Sequence, residues 1–246
     1  MKSQQPSSNH PTNSNNSGSS SISSNPISTD SISTNSSNVN SSNATRSNTN
    51  LDSLTPAYAS VVYSNPKLEE SFISTEPVFQ GKIISLQVDT VRLPNGSSAT
   101  REVVKHPGAV AVLALHQGKL LVVDQYRQPL GRCEVEIPAG KLDPGEDPLE
   151  AAARELREET GYTSTSLRLL QSFYTSPGFA DEIIHLYVTE DLQPGQMSPD
   201  EDEFLEVSEI TLEEALAWIK EGRISDAKTI MAVYAWQLRM LTGSFS

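Results

Sequence analysis

The segment from 140 to 162, GKLDPGEDPLEAAARELREETGY, constrains the fold most, because it combines a well-delimited helix with a cluster of acidic residues. Asp147 is a favourable N-cap, Pro148 suits the first helical position, and Gly161 is a natural helix end. A helix over about 148 to 160 is therefore predicted. Its apolar residues recur at helical spacing and are predicted to face a core; they are Leu149, Ala152, Ala153 and Leu156.

Three acidic residues of this helix, Glu155, Glu158 and Glu159, lie within an arc of roughly 100° beside the apolar stripe. Carboxylates this close repel one another unless a positive charge lies among them. A hard divalent cation with oxygen ligands, Mg²⁺ or Mn²⁺, fits best. Arg154 is one turn from Glu158 and could orient it as an ion pair. The alternative is a solvated acidic helix face, which is common; the register of loop, helix and terminal glycine favours the metal site.

The spacing of the fixed residues resembles the Nudix box, the signature of a hydrolase family. Every fixed position of that pattern is matched, by Gly140, Glu146, Arg154, Glu155, Glu158, Glu159 and Gly161, with Leu156 and Tyr162 in the apolar slots. The resemblance implies an α/β/α sandwich with a mixed β-sheet. It also implies that the backbone carbonyl of Ala139 joins Glu155, Glu158 and Glu159 as a metal ligand. For Glu146, a structural role is expected.

Composition divides the chain of 246 residues into three parts. Residues 1–53 are dominated by Ser, Asn and Thr and contain no aromatic residue, so they are predicted to be disordered. Residues 54–76 are predicted to be a linker, and 77–243 to be one packed domain. The first part has a formal charge of zero, so the net charge of −13 lies on the remainder.

Charge, hydropathy and cysteine content limit the binding partners and the cellular compartment that can be expected. Strong acidity argues against binding to nucleic acid or to anionic membranes. No apolar stretch approaches the length of a transmembrane helix, and the N-terminal part does not resemble a secretory signal. The lone Cys133 excludes an intrachain disulfide. We therefore expect a soluble cytoplasmic protein.

The hydrophobic pattern predicts an α+β fold, because strands outnumber helices without regular βαβ alternation. Strands are predicted over 83–93, 99–104, 110–115, 119–125, 133–137, 166–174, 183–190 and 204–207. Two helices are expected near the C-terminus, one from Thr211 to Gly222 and one over about 226–241. In the last helix a stripe is predicted to face the core, consisting of Ile230, Val233, Tyr234 and Leu238.

A second segment, SPGFADEIIHLY at 176–187, refines the resemblance. Pro177 lies fifteen residues beyond Tyr162, as in the ADP-ribose pyrophosphatase subfamily. HPGAVAVL, DQYRQP, EIPAG, DEFLEV and DAKTIMA are similar to bacterial members, so the resemblance covers roughly 79–241. It implies hydrolysis of ADP-ribose to AMP and ribose 5-phosphate, with Glu182 as the catalytic base of a closing loop. The alternative for Glu182 is a plain acidic loop.

Four further residues are candidates for substrate binding. Arg127 could grip a phosphate bidentately or form a surface salt bridge. The resemblance implies that Phe79 stacks on adenine, and the alternative is an ordinary core aromatic. Arg101 and Glu136, the latter in the EIPAG run, complete the expected substrate-binding group. Glu182, Glu158 and Arg154 form the expected catalytic group.

The resemblance also implies a homodimer whose early strands cross to the partner. Two other functions stay open. One is hydrolysis of another nucleoside diphosphate sugar or a dinucleotide by the same chemistry. The other is a non-catalytic ADP-ribose sensor, which the completeness of the box disfavours.

Overall fold

The computed structural model describes residues 64–199 and 203–245. The Ser/Asn-rich segment 1–53 and residues 54–63 of the predicted linker lie outside the described residues. The first strand, β1, spans Ser71–Gln80, so regular structure begins inside the segment predicted to be a linker. Among the described residues, no helix is long and apolar enough to cross a membrane.

The first three strands form a separate antiparallel sheet in the order β1-β2-β3. β2 spans Ser85–Arg92 and β3 spans Ser98–Lys105. A turn at Pro94-Asn95-Gly96 joins β2 to β3, and Gly96 supplies the left-handed conformation with φ 85°. Every residue of β1 is exposed.

A seven-stranded sheet forms the centre of the domain. β4 pairs with β10 in parallel and the other strand pairs are antiparallel, so the sheet is mixed, as predicted. Its strands are β4 (Ala109–His116), β5 (Lys119–Arg127), β6 (Arg132–Glu136), β7 (Ala139–Lys141), β9 (Arg168–Tyr174), β10 (Ile183–Thr189) and β12 (Leu205–Ile210). A short ribbon pairs β8 (Tyr162–Thr163) with β11 (Gln193–Pro194).

Helices cover both faces of this sheet. The helix α1, Pro148–Thr160, packs on one face with a core cluster that includes Ala152 and Leu156. The helices α2, Leu212–Glu221, and α3, Ala227–Thr242, pack on the other face with a second cluster. This arrangement is the predicted α/β/α sandwich of the α+β class.

The predicted bounds of α1 are confirmed. The Asp147 carboxylate accepts a hydrogen bond from the Leu149 amide at 2.8 Å, and Gly161 closes the helix with φ 74°. Leu149 was predicted to face the core but is 43% exposed. It lies in the first turn, and the buried side of the helix is formed by Ala151, Ala152 and Leu156.

The stripe predicted for the last helix is only partly correct. Val233 is fully buried, but Tyr234 and Leu238 are each 50% exposed. Successive helical residues differ by about 100° around the axis. The buried side of α3 is centred on Ala232, Val233 and Trp236, which turns Tyr234 and Leu238 away from the core.

Candidate active site

Helix α1 and strand β7 bring together the backbone and carboxylates that were predicted to bind a metal. Glu155 and Glu159 lie one turn apart and are both buried. The Ala139 amide donates a hydrogen bond to Oε2 of Glu159 at 3.0 Å. A Cβ at Gly140 would overlap the carboxylate of Glu155, so glycine allows the helix to approach the strand. Four of the residues singled out in the sequence therefore meet at one place.

Burial makes both carboxylates costly to ionise. It raises the pKa of Glu159 to about 8, against the hydrogen bond from Ala139. Burial also raises the pKa of Glu155, although the Arg154 guanidinium opposes this effect. Two adjacent carboxylates in a poorly hydrated position favour a bound cation, because it would lower the cost of their ionisation.

Arg154 lies among three of the acidic side chains. Its Nε and NH2 donate to the two carboxylate oxygens of Glu146 at 2.8 and 3.0 Å. Its NH1 donates to Glu155 at 2.7 Å and to Glu158 at 3.2 Å. The predicted pairing with Glu158 is therefore present, but the bidentate bond to Glu146 is the main support of the guanidinium. The hydrogen bond that Arg154 donates to Glu146 is the largest cause of the raised pKa of Arg154.

Arg154 pairs with two of the carboxylates of the candidate metal site. Within residues 64–199 and 203–245, no three acidic, His or Cys side chains converge on one point. Glu155 and Glu158 are instead oriented by Arg154. The donor chemistry still fits a hard divalent cation, since Glu155 and Glu159 provide carboxylate oxygens in a buried position beside Ala139.

Replacing Gly140 with alanine tests the close approach of strand and helix. Gly140 has no left-handed φ, so alanine fits the backbone, and its methyl group would displace only the end of the Glu155 side chain. We expect turnover to fall about 10-fold, the lower range for loss of one charge-assisted contact, with an unchanged melting temperature. Gly178→Ala is the control, because a Cβ there meets open space. Normal turnover of the Gly140 variant would show that Glu155 tolerates displacement.

Arg127 and Glu136 form one unit at the ends of β5 and β6. Nε and NH2 of Arg127 donate to the two oxygens of Glu136 at 2.6 and 2.7 Å. Burial by itself would raise the pKa of Glu136, but its bonds with Arg127 and Lys228 hold that pKa below its ordinary value. The Arg127 side chain is 39% exposed. Among the described residues, its NH1 has no hydrogen-bond partner, so the salt bridge leaves one edge of the guanidinium open.

Glu182 lies in a different environment from the one expected of a base beside the box. Its Oε2 accepts a hydrogen bond from the Thr175 hydroxyl at 2.5 Å, and its Oε1 is 3.7 Å from Nε2 of His106. The preceding residue, Asp181, accepts a hydrogen bond from the His106 amide at 2.8 Å. Within the described part of the chain, no hydrogen bond joins Glu182 to the box glutamates.

The strand register sets the separation between Glu182 and the box. Ala111 of β4 pairs with Ala139 on one side and with Leu186 on the other. Glu182 lies four residues before Leu186. At about 3.3 Å per residue and about 4.8 Å between strands, the backbones of Glu182 and Ala139 are roughly 16 Å apart. Movement of the loop is needed to bring this carboxylate to the box.

Phe79 and Arg101 belong to the three-stranded sheet. Phe79 is 55% exposed, which excludes the core alternative within this chain. Arg101 donates from Nε to Glu70 at 3.1 Å. The sheet contacts the Glu182 loop, because Val104 donates to the Phe179 carbonyl at 2.8 Å and bridges Ala180.

Glu203 was not among the residues predicted for the site, although it belongs to the DEFLEV run. Glu203 lies close enough for its charge to raise the pKa of both Glu155 and Glu159. It precedes β12, which pairs with β5 next to the box. The signal available in the sequence was an acidic residue just before a strand, which by itself indicates nothing about the box.

Comparison with known proteins agrees with this geometry. Residues 104–233 match the model of the NUDIX domain, and residues 72–104 match that of the nucleoside diphosphate sugar hydrolase N-terminal domain. The chain is 55% identical to a methanol dehydrogenase activator of Bacillus methanolicus over 174 residues, covering 70% of this chain and 94% of the relative. It is 53% identical to an ADP-ribose pyrophosphatase of Bacillus subtilis (strain 168) over 175 residues, covering 70% and 95%.

A solved structure shows the same fold. The crystal structure of an ADP compounds hydrolase superposes with a TM-score of 0.64 at 22% identity, covering 73% of this chain and 98% of that one. The NUDIX match spans more than half of the present chain, and it contains every fixed residue of the box. The chain therefore belongs to the Nudix hydrolase family.

Proposed function

We propose that this enzyme hydrolyses the pyrophosphate bond of ADP-ribose, giving AMP and ribose 5-phosphate. The observation that carries the proposal is the buried pair Glu155 and Glu159 beside Ala139, within a complete Nudix box. The identity of 53% with an ADP-ribose pyrophosphatase over nearly its whole length supports the substrate.

Nudix hydrolases generally depend on a divalent metal, and Mg²⁺ is the proposed ion, with Mn²⁺ as a substitute. The ligands we propose are the Ala139 carbonyl and the carboxylates of Glu155, Glu158 and Glu159. When bound, a divalent ion neutralises phosphate oxygens and lowers the pKa of a bound water. Arg154 acts as a positioning residue. Its guanidinium is anchored by Glu146 and forms ion pairs with Glu155 and Glu158.

Two carboxylates are proposed for the general base. Glu182 is the residue that the resemblance implies, and its loop would have to close over the substrate. Glu203 is the second candidate, and the specific observation in its favour is that its charge adds to burial in raising the pKa of Glu155 and Glu159. A base must come within hydrogen-bond reach of the water it deprotonates.

The proposed substrate contacts are made by exposed side chains. Arg127, held by Glu136, presents its NH1 to the substrate phosphates, for which the guanidinium geometry is well suited. Phe79 is exposed and available to stack on adenine. Arg101, on the same sheet, is proposed to contact the nucleotide.

A substrate panel with Mg²⁺ tests the function. The panel contains ADP-ribose, NADH, diadenosine polyphosphates, an ADP-hexose, a GDP-hexose and coenzyme A, with products identified by chromatography. Preference for ADP-ribose, with AMP and ribose 5-phosphate as products, is expected. Preference for another compound would keep the Nudix chemistry and change the substrate. A sugar nucleotide is then the first alternative, because residues 72–104 match the nucleoside diphosphate sugar hydrolase N-terminal domain. Binding of ADP-ribose without any turnover would indicate a sensor.

A second candidate function follows from the identity of 55% with a methanol dehydrogenase activator. This identity is as high as that with the pyrophosphatase, and the name describes an effect on another enzyme. Adding the purified protein to a methanol dehydrogenase assay tests it. Activation that disappears with the Glu159→Gln variant would show that both functions use the same hydrolytic site.

We also propose that the protein is a cytoplasmic homodimer. β1 is a ten-residue edge strand without a buried residue, and it exposes Phe72, Val78 and Phe79. An exposed apolar edge strand of this length normally needs a cover, and a second copy would provide one. The lone Cys133, which can form no intrachain disulfide, fits a reducing compartment.

Substituting Phe72 with glutamate tests the dimer. Phe72 is 64% exposed on β1, so a charge there costs little in the monomer and disfavours an apolar interface. We expect sedimentation velocity to show a dimer for the wild type and a weakening of dimerisation by about 10-fold or more for the variant, as for loss of an aromatic anchor. Ser97→Glu in the exposed β2–β3 turn is the control. A wild-type protein that is monomeric at all concentrations would contradict the proposal.

A further inference from the structure

A chain of charged side chains, buried at its centre, connects β5 to α3 beside the box. Arg127 donates twice to Glu136, as described above, and Nζ of Lys228 donates to Oε2 of the same carboxylate. Nζ of Lys228 also donates to Oδ1 of Asp226 at 3.0 Å. The side chains of Glu136 and Lys228 are only 3% and 9% exposed. One buried carboxylate is thus shared by two cations.

The anchoring of α3 fixes the position of Lys228. Asp226 is the N-cap of this helix and accepts hydrogen bonds from the amides of Lys228 and Thr229 at 3.3 and 3.0 Å. The Thr229 hydroxyl accepts a hydrogen bond from the Ile137 amide at 3.0 Å. Ile137 directly follows Glu136, so the start of α3 is tied to the end of β6 at the residues next to the shared carboxylate.

This chain of charges lies next to the metal site. The hydrogen bond to Glu136 is the largest cause of the raised pKa of Arg127, and the charge of Glu159 adds to it. Burial raises the pKa of Glu159, and the charge of Lys228 opposes that rise. Arg127 and Lys228 thus lie within electrostatic range of Glu159, although neither side chain belongs to the box.

We propose that Lys228 is a positioning residue for substrate binding, which acts by holding Glu136 and through it the guanidinium of Arg127. The inference rests on the proposed function, in which Arg127 binds a substrate phosphate. A bidentate bond requires both carboxylate oxygens to stay in the plane of the guanidinium. Lys228 restrains the Oε2 side of Glu136, so that Arg127 keeps its NH1 turned outward.

A purely structural role for Lys228 makes a different prediction. A lysine that only neutralises a buried carboxylate would, when removed, lower stability, and its effect on catalysis would be independent of Arg127. A positioning role acts through Arg127, so removal of Lys228 has no further effect once Arg127 is absent. A double-mutant cycle separates the two cases.

The experiment compares Arg127→Ala, Lys228→Gln, the double variant and Lys228→Arg in steady-state kinetics with ADP-ribose and Mg²⁺. We expect each of the first two to raise KM about 10-fold, the scale for a hydrogen bond to a charged group, with kcat changed less than about threefold. The double variant should match Arg127→Ala alone. Lys228→Arg retains a cationic donor for the charge-assisted bond to Glu136 and should keep KM within about threefold of the wild type. Lys220→Gln, at an exposed lysine of α2, is the control and should behave as the wild type.

The outcomes are distinct. An unchanged KM for Lys228→Gln, or effects that multiply in the double variant, would overturn the positioning role while leaving Arg127 as a phosphate ligand. An unchanged KM for Arg127→Ala would overturn both that part of the proposed function and the inference. If Lys228→Gln does not fold, Glu136→Gln tests the middle of the same chain. Glu136→Gln should raise KM without changing kcat, and it should raise KM no further when combined with Arg127→Ala. Increases in KM that multiply in this double variant would again overturn the proposal.

Discussion

Glu159→Gln is expected to lose at least about 100-fold in turnover, because the amide offers the metal a neutral oxygen in place of a carboxylate. A bound metal ion contributes several kcal/mol to transition-state stabilisation, and each factor of ten corresponds to about 1.4 kcal/mol. The fold should be retained, since Gln can still accept the hydrogen bond from the Ala139 amide. Removing a charge that burial disfavours should leave the melting temperature unchanged or higher.

The measurement is turnover across a Mg²⁺ titration, together with calorimetric binding of Mn²⁺ to the substrate-free protein. The control is Glu150→Gln, which changes an exposed glutamate in the first turn of the same helix. We expect weaker Mn²⁺ binding for Glu159→Gln and normal binding for the control. Near-normal turnover of Glu159→Gln at low Mg²⁺ would remove Glu159 from the ligand set.

Sequence signals that act locally predicted the structure of the box well. Asp147 and Gly161 delimit α1 because a cap and a left-handed glycine act within a few residues of the helix end. The turns after Pro94 and His116 were likewise predictable, since Gly96 and Gly118 supply the positive φ that they need. In these cases the interaction that decides the structure lies within the segment itself.

Features that depend on the environment of an element were harder to predict. β1 has no buried face and contains Pro77, so the alternation that marks a strand is absent from its sequence. Tyr234 and Leu238 continue an apolar stripe, but the width of the buried side of α3 is set by the sheet it packs against. Exposure of such residues becomes predictable only when the neighbouring surface is known.

The candidate site shows the same division. The ligands proposed on α1 could be predicted together because they share one helix, and Ala139 directly precedes the box. For Arg127 the sequence allowed a phosphate ligand or a surface salt bridge. The structure shows a salt bridge, with the buried carboxylate of Glu136 as a partner that the sequence could not place next to it. Glu203 approaches the box only because β12 pairs with β5, a contact between distant parts of the sequence that no local pattern records.

The sequence resemblance and the structure favour different residues as the general base, Glu182 and Glu203. A matched pair of variants decides between them. Loss of a general base typically costs roughly 100-fold or more in turnover, while binding of metal and AMP persists. We expect Glu203→Gln to show the larger loss, because Glu203 lies close enough for its charge to add to burial in raising the pKa of Glu155 and Glu159. Glu182→Gln should show a comparable loss only if its loop leaves Thr175 and His106 during turnover.

Single-turnover kinetics at saturating Mg²⁺, with AMP affinity measured in parallel, distinguish a lost base from a lost ligand. Asp143→Asn serves as the control, since it changes an exposed acidic residue in the loop before α1. A large loss for Glu182→Gln alone would require closure of a loop that the structure ties to the end of β3, and whose backbone at Glu182 lies roughly 16 Å from that of Ala139. In that case, removing the hydroxyl that donates to Glu182, with Thr175→Val, should increase the rate of closure, whereas a base at Glu203 makes turnover insensitive to Thr175.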